Sequence, residues 1–284
     1  MTGGAGAAAP APRGALVKRH RLSTRLWHWT NAATLLVMLM SGLMIFNAHP
    51  RLYWGEYGAN HDTPWLRIGS VRGGGQEIGY LRIGAARIET TGVLGLWTDS
   101  DGRTQRRAFP GWATIPSRYN LAVARIWHLA FAWVLAIGLT VFLLYALVNG
   151  HLRRDIHITR AEWRPAHVWQ DLRDHARLRL PKGEAALRYG VLQKLAYAGV
   201  LFGLLPLMIV TGLAMSPGTD AWAPFVTEMF GGRQSARSVH FICAAMLVLF
   251  VLVHLAMVLL AGPLGLLRGM ITGHVRLPAK EEAE

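Results

Sequence analysis

A chain of 284 residues with 52% hydrophobic side chains and a formal net charge of +14 is long enough for one or two domains, and in a soluble protein that charge would raise nucleic-acid binding. The placement of the apolar residues excludes that reading, because four stretches (about 26–46, 126–148, 195–215 and 238–260) run uncharged for about 18 residues or more, each enough to cross a bilayer. The single cysteine, Cys243, lies inside the last stretch, which rules out intrachain disulfides, iron–sulfur ligation and a covalent c-type haem motif.

In chain order, residues 1–20 read as a cytoplasmic arm, disordered over its Ala/Gly/Pro-rich part and carrying Arg13, Lys18 and Arg19 without an acid. Helix 1 is expected over about 25–46. It is too long for a signal segment and no small-residue cleavage pattern follows it, so it reads as an uncleaved anchor. A connection of about 47–118 comes next. Its first part is aromatic (Tyr53, Trp54, Tyr57, Trp65), and its second part has short alternating runs with a turn signal at Asp99-Ser100-Asp101-Gly102. One or two hairpins are expected there. The piece is too small for a strong core of its own, so it should rest on the membrane helices or on a partner.

Helix 2 is expected over about 120–148. A second connection, about 149–190, is rich in arginine and contains a segment around 160–178 in which Trp163, His167 and Trp169 are interspersed with charge, as in an interfacial helix. Its histidines, His151, His157, His167 and His175, match no metal-binding spacing. Helix 3 follows over about 191–215, with a kink expected at Pro206, and helix 4 over about 237–261. The arm and the second connection are strongly basic, whereas the third connection has only Arg233 and Arg237. The positive-inside rule therefore places both termini in the cytoplasm and the first connection outside. The fold class is an all-α membrane protein: a four-helix transmembrane bundle with a long periplasmic loop between helices 1 and 2.

Of twelve histidines, four fall in the spans: His28, His128, His240 and His254. Ionisable groups there are costly and usually functional. The alternating direction of the helices puts His28 and His254 at the inner side, His128 and His240 at the outer side. The last two histidines of this set, fourteen residues apart on helix 4, are separated by roughly 21 Å along one face. Four histidines that pair by depth fit two haem irons, each held from both faces by neutral imidazoles. Such centres have no open position and carry electrons rather than bind oxygen. The plainer alternative is four unrelated histidines bonded across helices.

Arg25, Arg125 and Arg237 each precede a histidine by three residues, one turn nearer the membrane surface. They are candidate partners for haem propionates, with surface anchoring as the alternative. Gln193 and Lys194, a polar pair at the cytoplasmic start of helix 3, are candidates for a quinone site, against an ordinary interfacial anchor.

Taken together, RLWHW at the start of helix 1, one histidine in helix 2, a histidine-free helix 3 opening on LQKLAY, and H-x13-H in helix 4 resemble the bacterial b561-like di-haem cytochrome b family. That family includes the membrane subunits of nickel–iron hydrogenase, formate dehydrogenase and thiosulfate reductase-type complexes. The resemblance covers all four helices. It implies a single di-haem domain over 21–284 in the bacterial inner membrane, two haem b groups, the pairs His28–His254 and His128–His240, and a quinone site near His254 and the start of helix 3. It implies a subunit of an oxidoreductase complex that moves electrons between quinone and a periplasmic redox partner, a molybdopterin oxidoreductase or a cytochrome, with no nucleic acid involved. A stand-alone superoxide:quinone oxidoreductase and a haem-free membrane anchor are the rivals. Two features depart from the family pattern: Tyr189-Gly190-Val191 stands where an asparagine often precedes LQK, and the first connection is long.

Overall fold

The computed structural model describes residues 16–59, 61–150, 157–159, 162–177 and 190–276. Of the arm expected over 1–20, residues 1–15 lie outside the described residues, while Leu16–Lys18 forms strand β1. His151 and most of the second connection's arginines also fall outside them.

Four spans are long and apolar enough to cross a membrane: Leu22–Ala48 (α1), Leu121–Val148 (α2), Val191–Ala214 and Arg233–Leu260. The chain is thus an all-α multi-pass membrane protein with a long connection between its first two spans. Twenty-seven residues of α1 measure about 40 Å at 1.5 Å per residue, more than a hydrocarbon core of roughly 30 Å. Asn120 starts α2 by accepting the Val123 N–H on its Oδ1 at 3.1 Å, which satisfies one of the helix's orphan donors.

The third span is not uniform. Val191–Ala198 (α4) passes through a π-helical turn, Gly199–Leu204, into Leu205–Ala214 (α5). Pro206 sits at the junction; it has no N–H to donate, and the widened turn absorbs the missing rung. Between α2 and α4 lies the short helix α3, Pro165–Ala176, inside the segment expected to be helical. Two short helices, Pro217–Trp222 (α6) and Phe225–Glu228 (α7), lead to α8, Arg233–Leu260, and α9, Pro263–Thr272, follows it. Gly150 and Gly262, with φ of 62° and 97°, turn the chain just beyond α2 and α8.

By its internal contacts the chain divides into two compact units. One takes Met1–Trp29, Leu144–Gly199 and Phe250–Glu284; the other takes Thr30–Leu143 and Val200–Leu249. The first, the terminal unit, pairs β1 with the strand His274–Arg276, antiparallel.

The second, the sheet-bearing unit, holds a four-stranded sheet in the order β2-β3-β4-β5: Arg51–Leu52, Leu66–Gly73, Gln76–Ile83 and Ala86–Glu89. Gly74 and Gly75, at φ 60° and 84°, make the two-residue turn between β3 and β4, a conformation that glycine alone adopts cheaply. The expected turn at 99–102 is also present. Asp99 Oδ1 accepts the N–H groups of Asp101 and Arg103 at 3.0 and 2.8 Å, between Trp97–Thr98 (β6) and Thr104–Gln105 (β7).

The sheet has no separate core. Leu52, Leu66, Ile68 and Ala108 are buried with Phe46 of α1, and Phe241 of α8 packs against them. Asn47 of α1 clasps Phe109 both ways, with its Nδ2 donating at 3.1 Å and its Oδ1 accepting at 2.7 Å. The Gly55 carbonyl accepts the N–H groups of Gln234 and Ser235 at the start of α8, which would otherwise be unsatisfied. The connection therefore rests on the membrane helices, one of the two outcomes its size allowed.

Candidate functional site

In the sheet-bearing unit side chains of α1 reach α2 and side chains of α5 reach α8, and His128 of α2 faces His240 of α8. Their ring centres are 6.3 Å apart and their planes meet at 60°. A first-row metal binds imidazole nitrogen at about 2.0–2.1 Å, and a ring nitrogen lies about 1.1 Å from its ring centre, so two imidazoles opposed on one metal put their centres roughly 6.3 Å apart. The observed spacing meets that requirement.

The other ring nitrogens are accounted for. His128 Nδ1 lies 3.1 Å from the Met38 carbonyl and 3.1 Å from Ser41 Oγ. A carbonyl only accepts, so Nδ1 carries the proton and Nε2 keeps its lone pair. Ser41 spends its own proton on the Val37 carbonyl at 2.7 Å and accepts from the ring. The same arrangement serves His240. Thr211 Oγ1 donates to the Leu207 carbonyl at 2.7 Å and lies 2.8 Å from His240 Nδ1, with the Met208 carbonyl a further acceptor. In both rings the Nδ1 proton is held by these acceptors, and a neutral imidazole of that tautomer has Nε2 free to bind a metal. Gly42 leaves the space that His128 occupies: a Cβ there would stand 3.3 Å from His128 Cε1.

In the terminal unit His28 of α1 faces His254 of α8, with ring centres 6.4 Å apart and planes at 57°. The spacing is again that of two opposed ligands, but the surroundings differ. Phe250 stacks on His254 at 6.0 Å and 16°, and Trp29 meets His28 edge-on at 5.0 Å. His28 Nδ1 is buried and has no hydrogen-bond partner among the described residues. Among the described residues no group of three or more His, Cys, Asp or Glu could hold a metal ion. Each pair brings two imidazoles face to face without a third such side chain beside them among the described residues. The donor set and spacing of both pairs fit haem iron.

The remaining candidates divide. Arg25 Nε donates to the Met270 carbonyl at 3.4 Å, and Arg237 donates to the His49 carbonyl at 2.6 Å while lying 5.7 Å above the Phe46 ring. A guanidinium has five donors, so both retain donors for a carboxylate. Arg125 is exposed on α2. Gln193 and Lys194 point to different partners. Gln193 Nε2 donates to Tyr197 Oη at 2.9 Å, and Tyr197 meets Phe250 edge-on at 6.5 Å, a line of contacts that leads to His254. Lys194 instead ties down the second connection, donating to Glu162 at 2.8 Å and to the His157 carbonyl at 3.2 Å. That bond and the Thr159 N–H hold the Glu162 carboxyl down at about 2.

Four further residues were not among the sequence candidates. Asp171 of α3 accepts the Leu192 N–H at 2.9 Å and so caps α4. His20 lies half-buried in the terminal unit, held neutral down to about 4 by burial and by Arg19, His28 and Arg25. Ser41 and Thr211 were legible after all through a repeat, Met-x-x-(Ser/Thr)-Gly-Leu, at 38–43 and 208–213.

The chain matches the family profile described as prokaryotic cytochrome b561 over residues 19–273. It is 31% identical over 148 residues to a protein of Azospira oryzae described as a putative protein-methionine-sulfoxide reductase subunit, YedZ1. That match covers 52% of this chain and 70% of the other. No solved structure matches.

Proposed function

This chain belongs to the prokaryotic cytochrome b561 family, and from that premise we propose that it holds two haem b groups and carries electrons across the inner membrane between quinone and a periplasmic redox partner. The observation that carries the reading is the pair of facing imidazoles in each unit, at 6.3 and 6.4 Å. His128 and His240 would hold one group and His28 and His254 the other, with α8 contributing one histidine to each pair. Haem b supplies one-electron carriage through its iron when bound. A group held by a histidine from each side would have no open position for oxygen.

The basic arm and second connection put the His28–His254 pair on the cytoplasmic side. There the contacts Gln193–Tyr197–Phe250–His254 support a quinone site at the start of α4. Gln193 offers its amide to a quinone oxygen, and Phe250 fills the space between that site and the ligand. Lys194, bonded to Glu162, acts as a strut beside it. On the other side the sheet, clasped to α1 and α8 by Asn47 and Gly55, presents a firm surface to a partner. The relative's description as a reductase subunit favours a partner that receives electrons drawn from quinol.

The test is purification from native membranes. His254→Ala should abolish reduction of the chain by quinol while keeping one low-spin b-type centre, and an unchanged rate of reduction in that variant would contradict the proposal.

A further inference from the structure

The Met-x-x-(Ser/Thr)-Gly-Leu repeat lies on α1 and on α5, and an Arg-x-x-His segment opens the next long helix in each case, at 125–128 and 237–240. The two hairpins thus contribute matching halves to one centre. Ser41 and Thr211 are both fully buried. Each donates to the carbonyl four residues back, the usual habit of a hydroxyl inside an apolar helix. That habit alone needs no second partner, yet each oxygen also faces the Nδ1 of a ring on a neighbouring helix, at 3.1 and 2.8 Å. Among the described residues the terminal pair has no such arrangement at His28, whose Nδ1 meets no partner there.

We infer that Ser41 and Thr211 are positioning residues for the His128–His240 centre: they fix the plane of each imidazole and raise its donor strength. The inference rests on the two-haem reading. A ring whose Nδ1–H is held by two acceptors is more basic at Nε2 and favours ferric over ferrous iron. The carbonyls of Met38 and Met208 choose the tautomer. The hydroxyls supply the second acceptor and stop the ring from turning about its Cβ–Cγ bond. Since their single protons go to Val37 and Leu207, they can only accept from the rings, which leaves Nε2 as the nitrogen available for ligation.

The experiment compares wild type with Ser41→Ala, Thr211→Val, the double variant, and the hydroxyl-keeping Ser41→Thr and Thr211→Ser. It reads haem content, the ferric low-spin g-values and the two midpoint potentials in detergent-solubilised protein. In the double variant the ferric preference of one centre should fall about tenfold, an upward shift of about 59 mV for one electron. The g-values of that centre should change and its haem should wash out more readily, while the other centre keeps its signature. Thr211→Ser and Ser41→Thr should stay at wild-type values. Unchanged potentials and g-values in the double variant would overturn the inference, as would Thr211→Ser behaving like Thr211→Val. A wild-type chain with no b-type spectrum would instead remove the reading on which the inference rests.

Discussion

The two histidine pairs have the same spacing and different settings. In the sheet-bearing unit each ring is bonded behind its ligating edge by a carbonyl and a hydroxyl, from helices whose registers repeat. In the terminal unit the rings are packed by aromatic side chains, Phe250 on His254 and Trp29 against His28, and the His28 Nδ1 has no partner among the described residues. Hydrogen bonds specify direction, whereas apolar stacking tolerates small rotations. The first pair is built to hold one geometry; the second can adjust, which suits the proposed centre beside an exchangeable quinone.

The largest way to break that contrast is to crowd the fixed pair. At Gly42 even a Cβ would stand 3.3 Å from His128 Cε1, so the branched Gly42→Val must displace the ring. Overpacking of this kind costs about 1–3 kcal/mol, and the haem content of the His128–His240 centre should drop on the order of tenfold or more. Absorbance spectra of the purified variant check this, and equal loss from both centres would erase the contrast. A smaller effect is expected on the adjustable pair. Phe250→Leu removes a stacking contact worth about 0.5–1.5 kcal/mol. It should broaden the low-spin signal of the His28–His254 centre in electron paramagnetic resonance without touching the other.

The smallest effect concerns pH. Glu162 has its pKa lowered to about 2, chiefly by Lys194. The stabilisation is present above the unfolded value near 4.3, fades as pH falls below about 5 and is gone below the folded value. The carboxylate is partly exposed, with a quarter of its side-chain surface open, so the pair is worth about 1 kcal/mol or less. Thermal unfolding of wild type and Glu162→Gln should differ slightly at pH 7 and converge in acid. A difference that grows toward acid would put the link elsewhere.

The comparison also explains what could be read from residues alone. The spans were legible because long uncharged runs admit one structure in a membrane, and the hairpin at Asp99–Gly102 was legible because its turn chemistry is local. The facing of His128 with His240, and of His28 with His254, followed from alternating helix direction. Other features join positions far apart in the chain and leave no local trace: the Gly55 carbonyl at the start of α8, Asp171 capping α4, and β1 paired with His274–Arg276. The settings of the two pairs lie between these cases. Ser41 and Thr211 are ordinary residues for an apolar helix, and only the repeated register at 38–43 and 208–213 marks them. Lys194 shows the opposite limit, since its place beside Gln193 says nothing about Glu162, which comes to it from the preceding connection.

The most direct test of the paired arrangement is a count of low-spin b-type centres per chain, by reduced-minus-oxidised spectra and redox titration, across single alanine variants of the four histidines. Two centres are expected in wild type, with His28→Ala and His254→Ala removing one and the same centre and His128→Ala and His240→Ala removing the other. One centre in wild type, or different centres lost on changing His128 and His240, would contradict the account.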